Sequence, residues 1–346
     1  MSPASKTFPR DPDCLSTSQR AFQPAVASLP ARPGLDRLTH ALRSALPTEG
    51  MDGHRVKILA RKPNIFQSSA HSEILVCRLT EGSQTQVFCK HAVSSSERHP
   101  VLKGGVSYEA SVYRDVLQPL PVSHAHFYGQ YMNPSSGEAW LFIEFLNRTS
   151  RLSGTSDADA MELAARWLGN FHRANEPRVS NGSLSFLGRY DYDYYLGWAK
   201  RTWSYAGKLR QRCPWLAKLC KGFGEVASAL LQPPLTVIHG ECTPRNVLIR
   251  RRRIYPIDWE SAATAAGVID LASLTWGWPR ATVQRCEEEY RRARWPQGAP
   301  RDFEWRLNCA RLFWLFRWLG DPDPSERSPE LFRQLRPIGR QLGLIR

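Results

Sequence analysis

Three oxygen-bearing side chains lie close together in the sequence, at a spacing that suits phosphoryl transfer. They are Glu241, Asn246 and Asp258, all within the stretch VIHGECTPRNVLIRRRRIYPIDWE at residues 237–260. A hard cation such as Mg²⁺ takes oxygen ligands, and transfer of a γ-phosphoryl group also needs a carboxylate that orients the attacking hydroxyl. Asn246 and Asp258 therefore fit the metal ligands, and Glu241 fits the base.

Short strands must position these side chains. An apolar run at residues 235–238 ends in His-Gly, and two β-rich runs at residues 247–249 and 254–257 flank an arginine-rich turn. This pattern predicts a hairpin that holds the three side chains at one edge, with Asp258 directly after its second strand. Taken singly, each motif is also typical of an ordinary turn, because Gly, Asp and Asn punctuate loops.

Together, these motifs resemble the aminoglycoside phosphotransferase and choline kinase superfamily, whose usual pattern is HGD-x4-N followed by a strand and IDW/E. Here the frame reads HGE-x4-N and then PIDWE, with glutamate at position 241 where the family has aspartate. A second segment, IDLA at residues 269–272, follows. The resemblance covers roughly residues 55 to 320 and implies a protein-kinase-like fold with ATP in the cleft between two lobes.

The resemblance also implies a nucleotide site ahead of the hairpin. In the family, a lysine on the third strand binds the α- and β-phosphates and pairs with a glutamate of the next helix. This indicates Lys90, in VFCK, and Glu109, in the helix predicted at residues 106–117. A lysine that protects an edge strand and a solvated helix acid are the structural alternatives. Ser68 and Ser69 lie where relatives carry a phosphate-covering loop, although an ordinary strand connection fits them nearly as well.

Further roles rest on the resemblance alone. Glu144 to Leu146 end a buried apolar run where the family's hinge joins the lobes and backbone groups hydrogen-bond adenine. His239 and Asp270 are implied as structural support, and Asp270 would hydrogen-bond the backbone of the catalytic loop unless it is an ordinary N-cap. His172, in WLGNFHRAN, lies in a segment similar to LGxxH of the phosphotransferases, where a buried packing histidine is more common than a catalyst.

The acceptor is not defined by these motifs. Asp191 and Asp193 lie in a tyrosine-rich segment that could line an acceptor site or could equally be a half-buried helix. Residues 280–346 hold 14 Arg against 9 Asp plus Glu, which favours a neutral or anionic acceptor. In the clearest helix of this region, RLNCARLFWLFRWLG, the aromatic stripe is typical of a core, and the arginines are expected to lay their stems over it while remaining solvated.

Composition excludes several other classes. The chain has 346 residues, 42% of them hydrophobic and 23% charged, which is ordinary for a globular protein. Its net charge of +15 raises a nucleic-acid role, but the arginines are spread along predicted helices, and the dense run at residues 250–253 is typical of a solvated turn. The eight cysteines show neither zinc-site nor disulfide spacing, and no signal peptide or membrane-length apolar run is recognisable. The reducing cytoplasm is the expected location.

We therefore expect an α+β, two-lobed protein-kinase-like fold, with a small antiparallel sheet lobe and a larger, mainly helical lobe. Residues 1–33 would be a disordered extension, residues 34–146 the nucleotide-binding lobe, and residues 147–346 the catalytic and acceptor-binding lobe. A short amphipathic helix at residues 35–46 is predicted to pack on the first lobe.

The expected function is ATP- and Mg²⁺-dependent transfer of the γ-phosphate to a hydroxyl of a small molecule, which could be an antibiotic, a sugar, a nucleoside or an amino alcohol. The lack of an HRD-type motif argues against a protein kinase. Glu241 and the glycine-free loop motivate a second hypothesis, a non-catalytic nucleotide-binding pseudokinase. Nucleic-acid association is a third hypothesis, motivated only by charge. The sequence predicts no oligomeric state.

Overall fold

The structure, a computed structural model, describes residues 32–46, 56–65, 70–78, 84–93, 104–321 and 329–346. Ser68 and Ser69 lie outside the described residues, as do residues 1–31 of the predicted extension. An antiparallel sheet lobe is followed by a larger lobe of helices, which confirms the predicted α+β arrangement. The boundary between the lobes, placed after Leu146 from the sequence, stays a prediction.

Among the described residues, five strands form the sheet of the first lobe. They are β1 (Lys57–Pro63), β2 (His71–Arg78), β3 (Gln84–Val93), β4 (Phe127–Asn133) and β5 (Glu138–Glu144), in the spatial order β1-β2-β3-β5-β4. All neighbouring strands are antiparallel. The central strand is β3, on which Lys90 lies opposite Leu141 of β5. The interpretation of Lys90 as a protective lysine on an edge strand is therefore wrong, because its strand is paired on both sides.

Helix α1 (Leu35–Ala45) packs against the first lobe. Leu38 and Leu42 are completely or almost completely buried, in one apolar cluster with Trp140 and Phe142 of β5. The spacing of four between the two leucines places them on the same face of the helix. This confirms the predicted amphipathic helix and its position on the sheet lobe.

Helix α2 (Gly105–Ser111) continues directly into a π-helical segment, Val112–Leu117. The sequence predicted one regular helix, and the difference is a wider turn in which the N–H of Gln118 donates to the carbonyl of Tyr113 at 3.0 Å. Four of its six side chains are buried: Val112, Tyr113, Val116 and Leu117. Glu109, one turn earlier, is only 2% exposed, so the alternative of a solvated helix acid is wrong.

The larger lobe is built mainly from helices. Within the described residues these are α3 (Ala158–Ser180), α4 (Tyr192–Tyr205), α5 (Leu209–Arg212), α6 (Trp215–Lys221), α7 (Phe223–Leu231), α8 (Val268–Thr275), α9 (Arg280–Arg294), α10 (Phe303–Leu319) and α11 (Pro329–Gln341). Their core contains fully buried aromatic side chains such as Phe171, Trp198, Phe313 and Phe316. None of the helices that the structure describes is both long and apolar enough to cross a bilayer.

In the part of the larger lobe that the structure describes, six short strands accompany the helices, and two of them form the predicted hairpin. They are β6 (Ser150–Arg151), β7 (Gly188–Arg189), β8 (Thr236–Ile238), β9 (Val247–Arg250), β10 (Arg253–Pro256) and β11 (Ala263–Ala265). The β9–β10 pair is antiparallel, and both residues of its turn have positive φ angles, 50° and 60°, as a two-residue type I′ turn requires. The predicted hairpin is therefore confirmed, but β10 ends at Pro256, so Ile257 separates it from Asp258.

Gly129 offers a test of how α1 is held on the sheet. A Cβ atom at this position would lie 1.9 Å from the carbonyl oxygen of Ala45, at the end of α1. We expect Gly129→Ala to lower the free energy of unfolding by about 1–3 kcal/mol, because the helix must shift. Gly154→Ala is the control, since no atom lies within 4 Å of a Cβ built there. Equal urea-unfolding midpoints for both variants would contradict this account.

Candidate active site

Asp270 organises the loop that follows β8. This residue lies in the first turn of α8 and is fully buried, and its two carboxylate oxygens accept the backbone N–H groups of His239 at 2.6 Å and Gly240 at 3.0 Å. The helix is capped by Gly267 instead, so the hydrogen bonds to the loop backbone are present and the N-cap alternative is wrong. Gly240 has a φ of 81°, and a Cβ there would lie 2.1 Å from the carbonyl oxygen of Ser261.

His239 links the same loop to the end of β10. Its Nε2–H donates to the carbonyl of Ile257 at 2.9 Å, and its Nδ1 accepts the backbone N–H of Glu241 at 3.3 Å. A carbonyl can only accept, so these partners define a neutral ring with the proton on Nε2. The imidazole also packs on Trp259 with ring centroids 4.5 Å apart. His239 therefore holds the backbone of Glu241 in place.

Asn246 connects the loop to the strand that ends near Asp258. Its side-chain amide donates to the carbonyl of Glu241 at 3.1 Å, and its own carbonyl accepts the N–H of Ile257 at 2.9 Å. These two bonds bring Glu241, Asn246 and Asp258 to one end of the hairpin, as the sequence predicted. The side-chain oxygens of Asn246 and Asp258 are of the kind that a magnesium ion binds alongside waters and phosphate oxygens, and their role as metal ligands stays a prediction. Within the described ranges, no group of three or more His, Cys, Asp and Glu side chains could hold an ion alone.

Lys90 lies among three carboxylates. Its Nζ is 2.8 Å from Oε2 of Glu109, 2.8 Å from Oδ1 of Asp258 and 3.8 Å from Oε2 of Glu260. Burial alone would lower the pKa of this lysine, but the carboxylates outweigh burial and raise it well above its ordinary value. The predicted contact with Glu109 is confirmed, and Glu109 also accepts the N–H of Trp259 at 3.1 Å. The contact with Glu260, and the direct contact with Asp258, were not predicted.

Arg317 was missed as a site residue. The sequence predicted that the arginines of α10 are solvated, but Arg317 is only 5% exposed. Its Nη2 donates to Oε1 of Glu241 at 2.6 Å, and its Nη1 donates to the carbonyl of Gly240. The one available signal was an arginine within the apolar run WLFRWL. Glu241, with a side chain 24% exposed, is thus paired with a buried cation.

The predicted hinge carries another ion pair that was not predicted. The guanidinium of Arg250 donates through both Nη atoms to Oε1 of Glu144, at 3.0 Å each. Leu146 is buried, and its carbonyl accepts the hydroxyl of Thr149 at 3.0 Å. The side chain of Glu144 therefore fastens the end of β5 to the β9–β10 hairpin. Adenine binding by the backbone here stays a prediction.

His172 supports Asp270 from behind. Its Nε2–H donates to Oδ2 of Asp270 at 3.3 Å, and its Nδ1 accepts the hydroxyl of Tyr290 at 2.9 Å. Arg294 donates to the Tyr290 oxygen and, through Nε, to Glu176 at 2.7 Å. This fully buried position confirms a packing histidine. Burial lowers the pKa of His172 to about 4, although the bond to Asp270 opposes the shift.

The lowered pKa makes stability depend on pH. The folded protein holds His172 neutral, whereas the unfolded chain protonates it below the ordinary pKa of 6.5. The contribution of neutral His172 to the free energy of unfolding is therefore complete above pH 6.5, and it falls by about 3 kcal/mol as the pH drops to about 4. We expect His172→Gln to unfold in urea with a weaker pH dependence than the parent between these values. His126→Gln, at an exposed position, is the control, and parallel curves for the parent and His172→Gln would contradict the assignment.

The lysine cluster gives a second prediction. Lys90→Met leaves the buried Glu109 carboxylate without its cation, so the free energy of unfolding without nucleotide should fall by about 3–5 kcal/mol. Adding Glu109→Gln should return part of this loss, with a coupling of about 0.5–3 kcal/mol in a urea-unfolding cycle. Lys57→Met, at an exposed position of β1, should be close to neutral. Strictly additive losses would mean that the two side chains do not interact.

Solved structures of similar fold cover almost the whole chain. A putative aminoglycoside phosphotransferase from Ralstonia eutropha has a TM-score of 0.59 at 16% identity, covering 90% of this chain and 98% of that one. A putative fructosamine-3-kinase from Thermobifida fusca has a TM-score of 0.55 at 16% identity, with coverage of 89% and 97%. A choline kinase from Streptococcus pneumoniae has a TM-score of 0.53 at 12% identity, with coverage of 83% and 94%. These likenesses confirm the predicted kinase-like fold.

A family model, rather than a single relative, identifies the family of this chain. No curated protein matches the chain, but residues 110–306 match the family model described as phosphotransferase enzyme family. The match spans more than half of the 346 residues and contains the loop, the hairpin and Asp270. This chain therefore belongs to the phosphotransferase enzyme family.

Proposed function

We propose that the protein transfers the γ-phosphoryl group of ATP to a hydroxyl of a small molecule, with Mg²⁺ as the cofactor. The observation that carries this proposal is the contact of Lys90 with both Glu109 and Asp258 at 2.8 Å. Lys90, on the central strand of the sheet lobe, thus forms an ion pair with Asp258, which follows the hairpin. A lysine in this position can bind nucleotide phosphates while Asp258 faces their metal ion.

Two side chains would hold the metal. Asp258 and Asn246 offer carboxylate and amide oxygens from the two strands at the open end of the hairpin. Asp258 follows β10 in a left-handed backbone conformation with a φ of 68°. When bound, Mg²⁺ would neutralise charge on the phosphate oxygens. Lys90 would bind the phosphates, while Glu109 keeps its ammonium group directed into the site. The backbone at Glu144 to Leu146 would bind adenine.

Glu241 would act on the acceptor. Its carboxylate would orient the acceptor hydroxyl and take its proton as the oxygen attacks the γ-phosphorus. The bond from that phosphorus to the bridging oxygen breaks, and ADP leaves with the electron pair. His239 and Asn246 hold the backbone of Glu241 from two sides, which supports this role because a base must be positioned closely to be effective.

We propose a neutral or anionic hydroxyl compound, such as a sugar or a nucleoside, as the acceptor. Arg317 offsets the negative charge of Glu241 at 2.6 Å, so this end of the site is less suited to a polycation. Asp191 is taken up as the N-cap of α4, where it accepts the N–H of Tyr194 at 2.7 Å. That contact favours the structural interpretation of Asp191 over an acceptor-binding one. A cytoplasmic location fits an ATP-dependent enzyme whose cysteines are free thiols in the described residues.

The test is ATP consumption by the purified protein over a panel of aminoglycosides, sugars, nucleosides, choline-like alcohols and lipid head groups, with Mg²⁺ and with EDTA. We expect Asp258→Ala to lose most metal-dependent ATP affinity. Glu241→Gln should keep that affinity and lower transfer by about 10²- to 10⁴-fold, the usual contribution of a general base. Glu225→Gln, at an exposed position, is the control.

Two outcomes would contradict the proposal. Wild-type turnover in Asp258→Ala would remove the metal site from this position. Tight Mg²⁺-dependent ATP binding by the parent without turnover of any acceptor or of water would instead favour the nucleotide-binding pseudokinase.

A further inference from the structure

A buried arginine on α10 reaches the loop that carries the proposed base. Arg317 is 76 residues from Glu241 in the chain, yet Nη2 lies 2.6 Å from Oε1 of that carboxylate. Nη1 of the same guanidinium donates to the carbonyl of Gly240. The guanidinium carbon also lies 5.3 Å from the centre of the Trp314 ring, one turn earlier on the helix. One planar group therefore binds the backbone and the side chain of consecutive residues.

This double contact restricts the glutamate more than a single ion pair would. A glutamate side chain has three rotatable bonds, and an exposed carboxylate samples many of their combinations. The guanidinium is held by the Gly240 carbonyl and by burial against Trp314, and its donors have a fixed fork geometry. Oε1 of Glu241 is thereby fixed relative to its own backbone, which His239 and Asn246 hold from the other side.

The length of the side chain at position 241 matters for this contact. Aspartate is shorter by one carbon–carbon bond, about 1.5 Å, so its oxygen would lie roughly 4 Å from the guanidinium if the loop kept its place, beyond hydrogen-bond distance. The longer glutamate places Oε1 within hydrogen-bond distance, 2.6 Å from Nη2 of Arg317. The glutamate in the HGE motif and the arginine in WLFRWL therefore form a matched pair.

We propose that Arg317 is a positioning residue that holds the carboxylate of Glu241 for proton transfer from the acceptor, an inference that depends on the proposed function. Arg317 acts through Glu241 and does not itself touch the reacting atoms. Glutamate can then act as the base in place of aspartate, because Arg317 fixes the position of a carboxylate that the longer side chain alone would leave variable.

Arg306 provides a matched control on the same helix. It is also buried, 7% exposed, and its guanidinium also donates to backbone carbonyls, those of Gln232 at 2.6 Å and Pro233 at 3.4 Å. These carbonyls lie before β8, outside the loop that carries Glu241. Arg306→Met and Arg317→Met therefore both remove a buried cation from α10, but only the second removes a contact with the proposed base.

The experiment measures phosphate release from ATP and Mg²⁺ in water, so that it does not depend on the identity of the acceptor. Arg317→Met should lower kcat by about 100-fold with little change in the KM for ATP, because misplacement by about 1 Å has this effect. In the Glu241→Gln background the same substitution should change kcat less than two-fold. Arg306→Met should lower the melting temperature but leave kcat within two-fold of the parent.

Two further variants guard against a purely structural explanation. Arg317→Lys keeps the charge but cannot bind both partners as a fork, so we expect its kcat to lie between those of the parent and Arg317→Met. This variant also replaces Arg317→Met if the latter does not fold. Glu241→Asp should lower kcat in the parent and have a smaller effect beside Arg317→Met. Equal kcat losses from Arg317→Met with and without Glu241→Gln, or an unchanged kcat in Arg317→Met, would overturn the positioning role while leaving the proposed function intact. A parent that binds ATP but transfers phosphate neither to water nor to any acceptor of the panel would overturn both.

Discussion

The buried carboxylate of Asp270 is the constraint on which the site depends. A buried carboxylate is costly unless hydrogen-bond donors surround it, and here two backbone N–H groups and the imidazole of His172 supply them. Two of these donors belong to the loop itself, at His239 and Gly240. Folding of the helical core thus also determines the path of the chain immediately before Glu241. A polypeptide that buries α8 cannot satisfy Asp270 without forming this loop.

Charge balance joins the sheet to the rest of the site. Glu109 and Glu260 are both nearly inaccessible to water, and both lie within 4 Å of the ammonium group of Lys90. Asp258 lies on the more exposed side of the same cation, with a side chain 35% exposed. All three carboxylates raise the pKa of Lys90, and Asp258 contributes most. Because Asp258 is the most exposed of the three, it forms the solvent-facing side of the cluster.

The sequence allowed much of this site to be predicted, because the relevant signals are local. The β9–β10 hairpin and the order of Glu241, Asn246 and Asp258 follow from strand patterning and turn residues within about twenty positions. The pairing of Lys90 with Glu109 was implied by the resemblance. The central position of the strand that carries Lys90 could not be predicted, because it depends on the order of all five strands and a single hairpin does not reveal that order.

The contacts that were missed join distant parts of the chain. Arg317 and Glu241 are 76 positions apart, and Arg250 and Glu144 are 106 positions apart. Helical periodicity assigns a residue to a face but does not say which loop will pack against that face, so a buried arginine was expected to be solvated. Ser68 lies outside the described residues, and its role stays a prediction.

The chain of side chains behind Asp270 has a direction. A carboxylate can only accept, so Nε2 of His172, which faces Asp270, carries the ring proton. Nδ1 of the neutral ring is then an acceptor, and the Tyr290 hydroxyl donates to it while the Tyr290 oxygen accepts from Arg294. Arg294 is in turn bound by Glu176. The carboxylate that holds the backbone before Glu241 thus also determines the tautomer of a histidine deep in the core, and the donors from Arg294 through Tyr290 to His172 all point towards Asp270.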